Sequence, residues 1–107
     1  MPNQESSLDR IFGALSNETR RQIVARLVRS PASVGELASP LAMSLPSVMQ
    51  HLQVLQDCGL VTTRKVGRIR TCSVEPEALR SVETWLADQR TVWERRLDRL
   101  GDLLGEA

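Results

Sequence analysis

The sequence predicts a mainly α fold with one small β-hairpin, and three observations carry that prediction. Apolar residues recur at helical spacing in separate stretches from Leu8 to Leu55. From Leu60 to Val74 the pattern changes to two β-rich runs around a glycine. After Pro76 a stripe spaced by sevens runs almost to the last residue. At 107 residues the chain has the size of one small domain, expected to span 1–107.

Residues 1–6 are polar and are expected to form a disordered tail. Leu8, Ile11, Phe12 and Leu15 follow at i, i+3, i+4 and i+7, the pattern of an amphipathic helix. Asn17 is a good cap for a second helix, Glu18 to about Arg29, whose stripe is Ile23, Val24, Leu27 and Val28. Arg20, Arg21, Arg26 and Arg29 take much of the remaining surface. They read as a solvated face, with a phosphate contact by Arg20 or Arg21 as the functional alternative. Ser30-Pro31 stops this helix. Ser33 and Glu36 fit a capping box that opens a short third helix ending near Pro40. Leu41 to Met43 is the turn into Ser44, the N-cap of a fourth helix.

In that fourth helix Val48, Leu52 and Leu55 form the buried stripe, Pro46 sits in the tolerant first turn, and Gly59 suits a left-handed terminus. Leu60 to Lys65 and Ile69 to Val74 are the strands, with Val66-Gly67 expected as the turn. Pro76 begins a last helix over 77–104, striped by Leu79, Leu86, Trp93 and Leu100 and extended by Val82, Leu97 and Leu104.

Two short helices joined by a turn make a helix-turn-helix at 33–57, and a hairpin directly after it makes a wing at 60–75. The outward face of helix 44–57 carries Ser44, Ser47, Gln50, His51 and Gln53, with almost no charge. Arg64, Lys65, Arg68 and Arg70 cluster around the turn, and no acidic residue lies between Asp57 and Glu75. Amides and hydroxyls suit base edges, and guanidinium groups suit phosphate. Net charge is only +1, so the nucleic-acid surface comes from local segregation of charge. The expected partner is double-stranded operator DNA, held by Ser44, Pro46, Ser47, Gln50, His51, Gln53, Arg64, Lys65, Arg68 and Arg70. The function that follows is a sequence-specific DNA-binding regulator, with helix 44–57 as the recognition helix and 60–75 as the wing.

Few hydrophobic surfaces remain for the 77–104 stripe to cover in so small a domain, which points to a second copy of the chain. A homodimer through the first and last helices would use Leu8, Ile11, Phe12, Leu15, Val82, Leu86, Trp93, Leu97 and Leu100.

Other classes find little support. Three aromatic residues, Phe12, Trp85 and Trp93, leave an aliphatic core. There is no catalytic triad, paired-carboxylate setting or glycine-rich phosphate loop, so an enzyme is not expected. Cys58 and Cys72 form no CxxC and no pattern with His51, the lone histidine, so no metal and no cofactor are expected. No apolar run nears the roughly 20 residues of a membrane span, and the start of the chain lacks the pattern of a signal peptide. A cytoplasmic protein without membrane contact is the expectation, and nothing in the sequence names a small-molecule effector. Two alternatives stay open: a winged-helix protein-interaction module, and a thiol-based redox-responsive repressor using Cys58 or Cys72.

The residues Ala14-Leu15-Ser16-Asn17-Glu18-Thr19-Arg20-Arg21, Ser47 to Leu55, Gly59-Leu60-Val61 and Gly67-Arg68 resemble the ArsR/SmtB-type winged-helix regulators of bacteria. The resemblance covers roughly residues 8–104. It implies a dimer built from first and last helices, a recognition helix in the major groove, a wing beside it, and repression relieved by an effector. It also marks departures. Many members carry Cys-x-Cys in the helix before the recognition helix, where this chain reads Val34-Gly35-Glu36-Leu37-Ala38-Ser39. Others bind zinc between terminal helices through Asp, His and Glu, and here the last helix has Asp88 and Glu94 but no histidine. Cys58 and Cys72 are not at the positions of the family's thiol sensors. The resemblance gives His51 either a DNA contact or a hydrogen bond that supports the helix.

Overall fold

The structure is a computed structural model that describes residues 4–105. Eight elements follow in order: α1 (Gln4–Leu15), α2 (Glu18–Arg29), β1 (Ala32–Ser33), α3 (Val34–Leu41), α4 (Leu45–Asp57), β2 (Val61–Val66), β3 (Ile69–Val74) and α5 (Pro76–Leu103). The expected tail at 1–6 is corrected in part. Residues 1–3 lie outside the described residues, and residues 4–6 belong to the first turn of α1.

Local capping sets the helix ends where the sequence placed them. The Asn17 side chain accepts from the Arg20 N–H at 3.1 Å. Ser33 Oγ accepts from the Glu36 N–H at 3.2 Å, and Glu36 Oε1 accepts from the Ser33 N–H at 3.0 Å, which completes the capping box. Helix α3 runs one residue past Pro40, because a proline in the last turn removes only one backbone bond. Ala42 closes it in the left-handed region at φ 54°, its N–H donating to the carbonyls of Ala38 and Ser39.

Helix α4 ends in a Schellman motif. Gly59 has φ 84°, the Leu60 N–H donates to the Leu55 carbonyl, and the Gly59 N–H donates to that of Gln56, both at 3.0 Å. Leu55 and Leu60, the apolar pair that accompanies this motif, are both fully buried.

The sheet differs from the expected two-stranded hairpin. It has three antiparallel strands in the order β1-β3-β2, with Ala32 opposite Cys72 and Ser33 opposite Thr71. The edge strand β1 is only two residues long, too short to show any periodicity. The turn is corrected as well. Val66 pairs with Ile69, so the loop is Gly67-Arg68 and not Val66-Gly67. Gly67 has φ 65° and Arg68 is not in the positive-φ region, the pattern of a type II′ hairpin turn with glycine first.

The core joins Ile23 and Leu27 of α2, Leu37 of α3, Val48, Leu52 and Leu55 of α4, and Leu60, Val61 and Cys72 of the sheet. Val48 and Leu55 are 0% exposed, so α4 hangs on the core by its whole inner stripe. Each such side chain contributes roughly 1.5–3 kcal/mol on burial. Val28, expected in the stripe of α2, is instead exposed.

Helix α5 is built differently. Its 28 residues span about 42 Å at ~1.5 Å per residue, and none is buried. Only Ala78, Leu79 and Val82, near its start, pack on the core.

Candidate nucleic-acid interface

Ser44 positions the start of α4. Its hydroxyl accepts from the Ser47 N–H at 3.3 Å and donates to Ser47 Oγ at 3.0 Å. With Val48, Leu52 and Leu55 turned inward, Pro46, Gln50 and Gln53 are exposed, and Ser47 and His51 are half-buried. Gln53 Nε2 donates to Asp57 Oδ1 at 2.8 Å, so its amide is held along the helix. Gln50 makes no such bond among the described residues and leaves both halves of its amide free for an adenine edge.

The face is less uniformly polar than the sequence reading had it. Leu45, Met49 and Val54 are also exposed on α4. Their signal was present in the sequence, since none of them falls on the 48–52–55 stripe. Exposed apolar groups on a recognition helix suit the thymine methyl group.

The hairpin carries Arg64, Lys65, Arg68 and Arg70, all exposed. Register sets Lys65 directly opposite Arg70. Like charges facing each other across a ladder are destabilising. Among the described residues the ion pairs are Glu77–Arg80 and Arg90–Glu94, both on α5, and none of them involves a wing cation. Such an arrangement is relieved by an external polyanion. Arg70 also lines a small cleft against α4 with Met49, Gln53, Gln56 and Thr63, which ties wing and helix into one surface.

Two arginines of α2 behave otherwise than expected. Arg20 is half-buried, and its Nε donates to the Ala14 carbonyl at 2.6 Å while its Nη1 lies 3.4 Å from His51 Nδ1. Arg21 Nη1 donates to the Leu15 carbonyl at 2.7 Å. Both bind the carbonyl end of α1 and not solvent alone.

Cys72 is fully buried, and desolvation pushes its thiol above the ordinary value of 9.0, with Arg70 nearby pulling weakly the other way. A sensor thiol requires an accessible thiolate, and Cys72 is neither accessible nor readily ionised. Cys58 is half-buried and its Sγ donates to the Leu55 carbonyl at 3.3 Å. Among the described residues no group of three His, Cys, Asp or Glu side chains is placed to hold a metal ion. No helix there is long and apolar enough to cross a membrane.

Helices α1 and α5 share an apolar face. Phe12 meets Trp85 edge to face, ring centroids 5.8 Å apart at 72°. Leu86, Trp93, Leu97 and Leu100 continue that face, all about half exposed. Ile11 is not part of it: at 3% exposure it belongs to the core. Leu8, Leu15 and Val82 are half-buried between face and core. Trp85 was absent from the expected set because it lies off the 79–86–93–100 row.

A helix-turn-helix followed directly by a basic antiparallel hairpin defines a winged helix-turn-helix DNA-binding protein. Comparison with known proteins agrees. Residues 15–64 match the family model described as a helix-turn-helix domain. The HTH-type transcriptional regulator Rv2034 of Mycobacterium tuberculosis is 41% identical over 98 residues, covering 92% of this chain and 89% of that protein. A crystal structure of an ArsR family transcriptional regulator superposes with a TM-score of 0.76 at 50% identity, covering 82% of this chain and 97% of that one. The solution structure of a homodimeric winged helix-turn-helix DNA-binding domain, Mb0332 of Mycobacterium bovis, has a TM-score of 0.66 at 25% identity, covering 80% and 82%. This chain belongs to the ArsR family of winged helix-turn-helix transcriptional regulators.

Proposed function

We propose that the protein is a homodimeric repressor that binds double-stranded operator DNA in the cytoplasm. Helix 44–57 enters the major groove and the wing, 60–75, follows the backbone or minor groove. Ser44, Pro46, Ser47, Gln50, His51 and Gln53 face the bases, and Arg64, Lys65, Arg68 and Arg70 hold phosphate. The observation that carries this reading is the four unpaired wing cations set beside an uncharged helix face. Repression asks least of the molecule, since occupying an operator blocks polymerase without any further contact.

The self-partner is supported by the exposed face of Phe12, Trp85, Leu86, Trp93, Leu97 and Leu100, and by the homodimeric state of the Mb0332 domain. A two-fold dimer presents two recognition helices to two half-sites. Binding to the duplex upstream of the protein's own gene tests the reading at physiological salt. A Kd at least about 10³-fold tighter than for a scrambled duplex is the expected result. Equal affinity for both would overturn sequence-specific binding. In a purified transcription reaction, added protein lowers transcript from that promoter; a rise would make it an activator.

A further inference from the structure

We infer that Arg20 fixes the tautomer of His51, so that the recognition helix offers DNA a hydrogen-bond donor at Nε2. The guanidinium of Arg20 is held in place by α1. Nε donates to the Ala14 carbonyl at 2.6 Å and Nη2 to the Gly13 carbonyl at 3.4 Å. These carbonyls lie in the last turn of α1, where helical partners run out. The third nitrogen, Nη1, is thereby aimed at His51 Nδ1 at 3.4 Å.

Arginine has donors and no acceptor, so His51 Nδ1 must accept. A proton on Nδ1 would set donor against donor. The ring proton therefore sits on Nε2. That atom has no partner among the described residues, and no side-chain nitrogen or oxygen buried there lacks one, so Nε2 is open to solvent. His51 follows Gln50 in α4 and is half-buried, at the border between the core stripe and the exposed face. It offers a fixed donor to an acceptor on DNA, either a phosphate oxygen or a guanine N7 or O6. Arg20 is thus a positioning residue, acting on DNA through His51 and linking the end of α1 to the reading helix. The DNA half of this inference rests on the function proposed above; the tautomer does not.

The protein has a single histidine, so its imidazole nitrogens can be read without assignment overlap. Nitrogen-15 spectra of the unmodified, DNA-free chain at about pH 8, where an ordinary imidazole is neutral, give the tautomer directly. The expected result is a pyrrole-type Nε2 and a pyridine-type Nδ1. A pyrrole-type Nδ1, or an even mixture, overturns the inference. Arg20→Met moves the shifts towards a mixture and Arg20→Lys restores them; unchanged shifts in Arg20→Met would remove Arg20 from the role.

The DNA arm uses His51→Gln, whose amide donor lies where Nε2 does, and His51→Asn, whose donor lies where Nδ1 does. His51→Gln keeps operator affinity within about threefold and His51→Asn loses at least about tenfold, the scale of one hydrogen bond to a charged or well-placed acceptor. Equal loss in both variants overturns the donor. Loss by His51→Asn on operator and scrambled duplex alike identifies phosphate as the acceptor, and loss on the operator alone identifies a base. Failure of the unmodified protein to distinguish the two duplexes refutes the sequence-specific function and the base acceptor; the His51 pair still decides the phosphate donor, and the spectrum the tautomer.

Discussion

The wing and the far half of α5 are the two most exposed regions of the molecule, and they are exposed for opposite reasons. The wing holds unpaired cations on a hairpin whose base, Val61 and Cys72, is fully buried. Helix α5 shows Leu86, Val92, Trp93, Leu97 and Leu100 to solvent while its charges include intrahelical pairs such as Arg90–Glu94. Water solvates a guanidinium well and a Trp or Leu side chain poorly. The wing chiefly lacks neutralisation of its charge, although Val66 and Ile69 at its tip are exposed as well, whereas the α5 face is destabilised until something apolar covers it. One region asks for a polyanion and the other for a copy of itself.

The largest expected effect breaks the α5 side of that contrast. Replacing Leu86 and Trp93 by Glu puts four charges into a two-fold interface. At roughly 1.5–3 kcal/mol per buried side chain, at least about 6 kcal/mol of association is lost. Sedimentation velocity at micromolar concentration should show a dimer for the unmodified chain and a monomer for the variant. Both contact the core little, so the variant monomer keeps its helical signal, while its melt falls because association no longer stabilises the fold. A well-folded monomer for the unmodified chain would sink the dimer.

The wing and α4 are separated next. Gln50→Ala should cost roughly 1–3 kcal/mol on the operator alone, because it removes base readout and no charge. Arg68→Ala should weaken operator and scrambled duplex alike. If four cations in each of two subunits engage, up to about eight phosphates are neutralised and the log–log salt slope is near −7; losing Arg68 flattens it by about one unit per contact. Affinities for both duplexes at several salt concentrations decide the matter. A Gln50→Ala loss shared by both duplexes would mean that α4 does not read bases, and an unchanged slope in Arg68→Ala would remove the hairpin as a wing.

How much of this was legible in the sequence depended on the range of the interaction. Caps and turns act over three or four residues, and Asn17, Ser33 with Glu36, Ser44 and Gly59 stand where their side chains or lack of one demand. The stripes of α2 and α4 were legible because helical period repeats the signal. Strand β1 was not, since two residues carry no period and Ala32 is placed by its partner Cys72, forty residues on. The assignment of Ile11 to the core and of Arg20 to His51 likewise depends on how α1, α2 and α4 pack together, which no local pattern encodes. The exposed Leu45, Met49 and Val54 were legible in position and overlooked in character.

A smaller effect concerns metals. With no cluster of ligands among the described residues, and no Cys-x-Cys in α3, titrating zinc, cadmium or arsenite should leave operator affinity within about threefold. That is less than the roughly 1 kcal/mol at the low end of allosteric coupling. A tenfold loss at stoichiometric metal, measured by fluorescence anisotropy, would point to a site using Cys58, the more accessible thiol.

The smallest expected effect again divides the reading half from α5. Helix α3 opens on the Ser33–Glu36 capping box, and α5 opens on Pro76 with no side-chain cap bond from Glu75. The Ser33 N–H holds the Glu36 carboxyl below its ordinary value of 4.5, with help from the Ser33 side chain and from Arg26. A carboxyl depressed in the folded state stabilises the fold above its unfolded value and ceases to do so as pH falls through its folded value. The stabilisation is thus complete above about pH 4.5 and disappears below it. Glu36→Gln keeps the shape without the charge. Its urea midpoint should lie slightly below that of the unmodified chain at pH 7, and the gap should close as pH falls from about 4.5 through the lowered value. Hydrogen exchange should assign the change to the first turn of α3 and leave the first turn of α5 alike in both proteins. A gap that stays constant with pH would mean that the carboxylate does not stabilise α3, and that acid acts on both halves of the molecule equally.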